Sequence, residues 1–230
     1  MDTRKTRMVA LWLIAGLALS LSGGANAVIM ESRLGGQAVY DTDRNITWLA
    51  DANLAASNTF GVGGIREDGV MNWATANSWI GAMNTANYLG YHDWRLPDTP
   101  QPDATCGSQG SGYGCTGSEL GHLFYEALSG SAGTSITSGH NANYLLFQNI
   151  QASAGYYWSG TEYAPNTLNA WYFRFSDGDQ GNLDKVGIVY AWAVRDGDVA
   201  AVPEPETYAM MLAGLGLVGA AVRRRRDKRG

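Results

Sequence analysis

Two uninterrupted apolar runs, residues 8–21 and 207–222, bracket a long stretch in which apolar and polar positions alternate in shorter rhythms. Inside that stretch, residues 38–40 and 46–49 read as two strands around the polar turn 41–45, and residues 61–69 as a glycine-rich loop. From Asn72 the spacing becomes helical. Trp73, Ala76, Ile80, Met83 and Asn87 recur at helical intervals behind an N-cap asparagine, and the helix should run to about Tyr88 and stop at Gly90. Residues 93–96 are short and mixed, and Pro97 blocks their continuation as a central strand. Residues 98–114 are loop by composition. Thr116 and Glu119 have the spacing of a capping box ahead of Leu120, Leu123, Phe124 and Leu128, a second amphipathic helix that leaves His122 on its exposed side. After a polar segment at 129–143, residues 156–159 and 170–175 read as strands. Residues 177–182 follow as a hairpin turn, and 186–195 as the strand that closes the sheet. The pattern predicts an α+β domain, two helices packed on a small, mostly antiparallel sheet, with a further apolar helix at the C-terminal end.

The apolar runs have different fates. The first follows Arg4, Lys5 and Arg7 and ends at Ala25-Asn26-Ala27, a small-residue cleavage site bounded by Ala25 and Ala27. Residues 1–27 therefore read as a signal peptide for signal peptidase, with the mature chain starting near Val28. The second run is short for a spanning helix, which needs about 20 residues. Its Gly214, Gly216 and Gly219 suit a membrane helix, and the basic tail 223–230 would hold that end on the cytoplasmic side. The order is Val202-Pro203-Glu204-Pro205, an apolar helix over 207–222, then Arg223, Arg224, Arg225 and Arg226. It closely resembles the PEP-CTERM sorting signal. The resemblance covers residues 202–230 and centres on Pro203, Glu204 and Pro205. It implies a Gram-negative bacterium that makes extracellular polysaccharide and an exosortase partner that cuts near the Pro-Glu-Pro motif. The protein would be an inner-membrane intermediate first, then a cell-surface, biofilm or matrix protein. A permanent C-terminal anchor is the alternative.

Trimming both ends changes the charge. The chain carries a net −5, but 17 of its 21 acidic and only 7 of its 16 basic residues lie within 28–201, which leaves that domain near −10. Such a surface repels nucleic acid and other polyanions; it suits neutral sugars, or calcium held by carboxylates. The domain's single lysine is Lys185, and its two cysteines, Cys106 and Cys115, flank a glycine-rich loop. In an oxidising compartment they are expected to pair. Two thiols with no nearby histidine do not complete a zinc shell.

Several pieces, TWLADAN, GYHDWRLPD, SELGHLF, YYWSGT, AWYFRFSDG and YAWAVRDG, stand in the order of the Lcl C-terminal domain family, a bacterial domain named after a collagen-like adhesin. The resemblance covers roughly residues 38–196. It implies a C-type-lectin-like fold and an extracellular binding or adhesive module, and it brings no catalytic residues. The named adhesin is associated with sulfated polysaccharides, which call for a basic surface; this acidic domain departs from that.

The candidate sites each have two readings. Trp94 and Arg95 form either an aromatic platform with a guanidinium, or a buried ring beside an arginine paired with a carboxylate such as Asp93. Gln101-Pro102-Asp103 resembles the sugar-selecting tripeptide of calcium-dependent lectins, in which Gln101 and Asp103 would hold ion and sugar, but the partner Trp-Asn-Asp motif is missing. Asp177, Asp179 and Asp184 either gather around calcium, the one cofactor the chain suggests, or sit on a solvated turn. His92, His122 and His140 accompany no hydrolase motif, and Glu119, Glu126 and Glu162 lack a spacing that marks a glycosidase pair. The expectation is a non-catalytic binding or adhesion module for extracellular polysaccharide or surface components. A purely structural matrix protein is second, and a polysaccharide-acting enzyme third.

Overall fold

The computed structural model describes residues 28–107, 110–153, 155–199 and Leu215. The expected signal peptide at 1–27 and, Leu215 apart, the expected 202–230 sorting signal lie outside the described residues, the expected 207–222 apolar helix included. Among the described residues no helix is long and apolar enough to cross a membrane. The chain runs through β1 (Met30–Arg33), β2 (Ala38–Asp41), β3 (Ile46–Leu49), α1 (Trp73–Thr85), the short α2 (Glu119–His122), β4 (Tyr156–Glu162), β5 (Asn169–Arg174), β6 (Gln180–Asp184) and β7 (Val194–Asp196).

The strands form two antiparallel sheets rather than the single one expected: β1-β2-β3-β7 and β4-β5-β6. The reason lies in the segment expected to close one sheet. Residues 186–193 are not a strand, because they change partner. Tyr190 exchanges backbone hydrogen bonds with β4, accepting from Trp158 N and donating to Tyr156 O. Three residues on, Ala193 O accepts from Leu49 N at 3.0 Å, and β7 pairs with β3. The turn expected at 177–182 is likewise shorter, since Gln180, Gly181 and Asn182 belong to β6 and pair with β5.

Helix α1 starts where the pattern places it. The Asn72 side chain accepts from Thr75 N at 2.8 Å, and Ala76, Trp79, Ile80 and Met83 are buried on its inner face. It ends before Asn87, which takes a left-handed φ of 49°. Helix α2 begins two residues later than the capping box implied. Ser118, not Thr116, is the N-cap and accepts from Gly121 N at 3.0 Å, while Glu119 turns away to an arginine. Gly117 and Gly121 are required here: a Cβ would come within 2.2 Å of Asp103 Oδ1 and 1.7 Å of Cys115 O. The helix widens into a π-type turn over Leu123–Ala127 that buries Leu123 and Phe124.

The core is aromatic. Trp48, Trp79, Trp94, Trp158, Trp171 and Trp192 are fully buried, and all but Trp171, whose edge also borders a surface hollow, simply fill the space between helices and sheets. Trp192 links the two sheets, with Trp48 at 5.2 Å, Tyr157 at 5.5 Å and Phe175 at 5.7 Å between ring centroids.

His122 corrects another expectation. It is 4% exposed, and its Nε2 lies 3.3 Å from Asp41 Oδ2 at the end of β2 and 3.7 Å from Asp43 Oδ2. The β2–β3 hairpin covers the side of α2 that the sequence pattern assigned to solvent.

Candidate functional site

The residues of DWRLP are structural. Trp94 is 2% exposed and donates its indole N–H to Tyr88 O at 3.1 Å, so it offers no platform. Arg95 does not pair with Asp93. Its guanidinium holds both oxygens of Glu119 at 2.7 Å and one of Asp196 at 2.5 Å, with Asp98 at 3.6 Å. Burial, together with Glu119 and Asp196, pushes the Asp98 carboxyl above its ordinary value despite Arg95. Asp93 belongs instead to Arg195, at 2.7 Å, and that hydrogen bond holds its carboxyl below the ordinary range. Arg33 does the same for Asp198.

Both of these depressed carboxylates stabilise the fold above their unfolded pKa, and that contribution is lost as pH falls through their folded values. The melting temperature should therefore hold from pH 7 to about 5 and fall below about pH 4, where carboxylates protonate. Thermal denaturation across this range checks it. In Asp93→Asn the fall should be shallower. A curve that stays flat to pH 2 would count against both pairs.

Asp103, the last residue of the lectin-like tripeptide, is 2% exposed and fully engaged. Oδ1 accepts from Thr105 N and Oγ1, and Oδ2 from Ser118 N and Gln180 Nε2, tying the loop to α2 and β6. Beside it Cys106 and Cys115 are joined by a disulfide with Cα atoms 4.4 Å apart. Asp103, Cys106 and Cys115 cluster tightly enough for a metal ion, but with the sulfurs bonded to each other no thiolate remains to bind one. The bridge spans a separation of 9 residues. Reducing it should cost about 2–3 kcal/mol, the loop-closure value for so short a ring. Chemical denaturation with and without dithiothreitol measures this, and identical midpoints would contradict it.

The three turn aspartates do not converge. Arg174 donates to Asp177 Oδ1 at 2.6 Å and lies 3.6 Å from Asp179, whose other contact is the Tyr172 hydroxyl at 3.2 Å. Asp184 sits at the far end of β6 and caps Val186 N at 3.0 Å. A guanidinium stands where a calcium ion would have to, so these residues do not fit the ion.

One open hollow has apolar walls, and the sequence marked it at Gln101 and Pro102. Loop 97–103 runs along β4: Pro97 O accepts from Gly160 N and from Ser159 Oγ, and Thr99 N donates to Thr161 Oγ1. This track delivers Gln101 and Pro102 beside the β4–β5 hairpin, whose turn is closed by Tyr163 N donating to Asn169 O and Asn166 N donating to Tyr163 O. Gln101, Pro102, Tyr163, Ala164, Pro165 and Trp171 line a space of about 370 Å³. Tyr163 and Trp171 meet edge to face, centroids 5.1 Å apart. Gln101 Oε1 accepts from Ala164 N at 2.8 Å, which fixes the amide. Sequence reasoning found Gln101 and Pro102 and missed the rest; Tyr163-Ala164-Pro165, apolar residues inside an otherwise polar hairpin loop, was the available signal.

Fold and site together define a small, disulfide-closed α+β domain. Over residues 37–195 it matches the Lcl C-terminal domain family, and the chain belongs to that family. Residues 201–226 match the PEP-CTERM protein-sorting motif, which makes this an exported protein that exosortase processes on its way to the cell surface or the extracellular space. No curated protein and no solved structure shows significant similarity to the chain.

Proposed function

We propose that the domain is a non-catalytic binding or adhesion module for extracellular polysaccharide, built on a C-type-lectin-like plan. The apolar run at 207–222 would serve as its transient inner-membrane anchor before release. The observation that carries this reading is the contrast between charge clusters closed within the fold and an open hollow with apolar walls. Arg95, His122 and Arg174 are each turned onto carboxylates of the fold, which leaves those groups poorly placed for acid–base work. The hollow at Gln101 and Tyr163 faces solvent with apolar walls and an unused amide N–H. Apolar surface with a few fixed polar groups is the usual composition of a ligand site. The two-helix, two-sheet layout with a disulfide-closed loop supports the lectin-like plan.

The test is retention of the exported protein on the producing organism's own extracellular polysaccharide, run with calcium and again with chelator. Retention in both conditions is expected. Failure to bind in either would move the protein to a structural matrix role, and release of reducing sugar would make it an enzyme.

A further inference from the structure

Resting on that reading, we infer that the hollow between residues 101–102 and the β4–β5 hairpin is the sugar subsite, and that it takes an uncharged sugar ring without a metal ion. Five observations point the same way. The volume, about 370 Å³, lies at the lower end of the ~300–1,000 Å³ usual for small-ligand sites, room for a ring and not for an extended partner. The walls are a tyrosine, two prolines and an alanine over the edge of a buried tryptophan, apolar surface that suits the C–H faces of a pyranose.

The polar groups left over are donors. With Gln101 Oε1 held by Ala164 N–H, Nε2 is free to donate, and neither it nor the Tyr163 hydroxyl has a partner among the described residues. The Trp171 indole N–H, by contrast, is sealed inside the protein and is not offered to the hollow. Unsatisfied donors between apolar walls call for a ligand rich in acceptor oxygens.

Charge decides which sugar. None of the lining residues is ionisable in the physiological range, and the surrounding domain carries near −10 by its sequence. A sulfate or uronate would lose its hydration and find no cation in return. The nearby carboxylate that could have held calcium, Asp103, has both oxygens committed to Thr105, Ser118 and Gln180. The site is also set before ligand arrives. Gly110, at φ 84°, lies so close to the Trp171 ring that a Cβ there would come within 3.1 Å of it, and Trp171 is thereby held as the floor.

The experiment uses the exported protein, soluble uncharged glucan, mannan and galactan oligosaccharides, dextran sulfate and polygalacturonate, with affinities measured by titration calorimetry. Ala164→Trp fills the hollow from an exposed position without removing a contact, Gln101→Ala removes the donor, and Asp184→Asn is the control outside the lining residues. An uncharged oligosaccharide should bind equally with and without EDTA. Ala164→Trp should weaken it more than tenfold at an unchanged melting temperature, Gln101→Ala about tenfold, the worth of one well-placed hydrogen bond, and Asp184→Asn not at all. Retention of both wild type and Ala164→Trp on the native polysaccharide would overturn this site while leaving the binding function intact. Failure of the wild type to bind that polysaccharide would overturn both. Binding that requires calcium, or that favours the sulfated or uronic polymers or a proline-rich peptide over neutral sugars, would overturn the ligand assignment.

Discussion

Trp192→Ala should lower the stability of the domain by about 4–5 kcal/mol, the cost of deleting a fully buried tryptophan. The residue is completely buried, and its ring touches Trp48, Phe147, Tyr157 and Phe175, which belong to both sheets and to the loops between them. It sits in the segment that passes from β4 to β3, so its removal hollows a place where the two sheets share a core. Its indole N–H also donates to Leu49 O at 2.7 Å. For a domain of this size the loss corresponds to a fall of roughly 10–15 °C in melting temperature, enough to reduce the yield of exported protein. The substitution Trp192→Phe separates the two contributions. It keeps an aromatic ring but strands the Leu49 carbonyl, for about 1–3 kcal/mol. Trp48→Phe should cost less, because Trp48 Nε1 has no acceptor among the described residues to lose. Differential scanning calorimetry of the three variants would give the order Trp192→Ala, Trp192→Phe, Trp48→Phe. If Trp192→Ala melts within a few degrees of wild type, the shared core is not what joins the sheets.

How much of this was legible depends on how far each signal reached along the chain. Strands β2 and β3, helix α1 and the Asn72 cap follow from local spacing and appear where the pattern puts them. Strand β1 does not, because Met30–Arg33 buries one side chain deeply and is held by backbone pairing to β2. The apolar alternation of 186–195 was visible, but its change of partner at Tyr190–Ala193 was not, since nothing in a single strand names its neighbours. His122 and Arg95 fail for the same reason. Their partners, Asp41 for one and Glu119 with Asp196 for the other, are remote in sequence and brought in by packing. The hollow was half legible. Gln101 and Pro102 drew notice through a tripeptide whose aspartate turns out to be internal, while Tyr163, Pro165 and Trp171 reach the site through the β4 bulge between Trp158 and Glu162 and the turn after it.

Arg95→Met should destabilise the domain by about 2–3 kcal/mol, near the lower end for breaking a buried ion pair because the guanidinium keeps some exposure. Arg95 joins the start of α2 to β7 in two ways. Its backbone exchanges hydrogen bonds with Val194, at 2.7 and 2.9 Å, and its guanidinium forks onto Glu119 while reaching Asp196. The backbone bonds survive the substitution, but the fork does not, and Glu119, Asp98 and Asp196 then face one another without a cation. Three crowded carboxylates bind protons more tightly when folded, so Arg95→Met should regain stability as pH falls from 7 toward 5, where the wild type stays level. Arg95→Lys should recover part of the loss, because an ammonium supplies charge without the two-pronged geometry. The double substitution Arg95→Met with Glu119→Leu should recover most of it, because it removes both buried charges together. Melting curves at several pH values test these statements. Polysaccharide retention measured well below the melting point separates structure from binding, since every Arg95 variant that is folded should bind as the wild type does. An Arg95→Met protein that melts normally but no longer binds would return the guanidinium to the ligand site and remove the hollow at Gln101 and Tyr163 as the sole recognition surface.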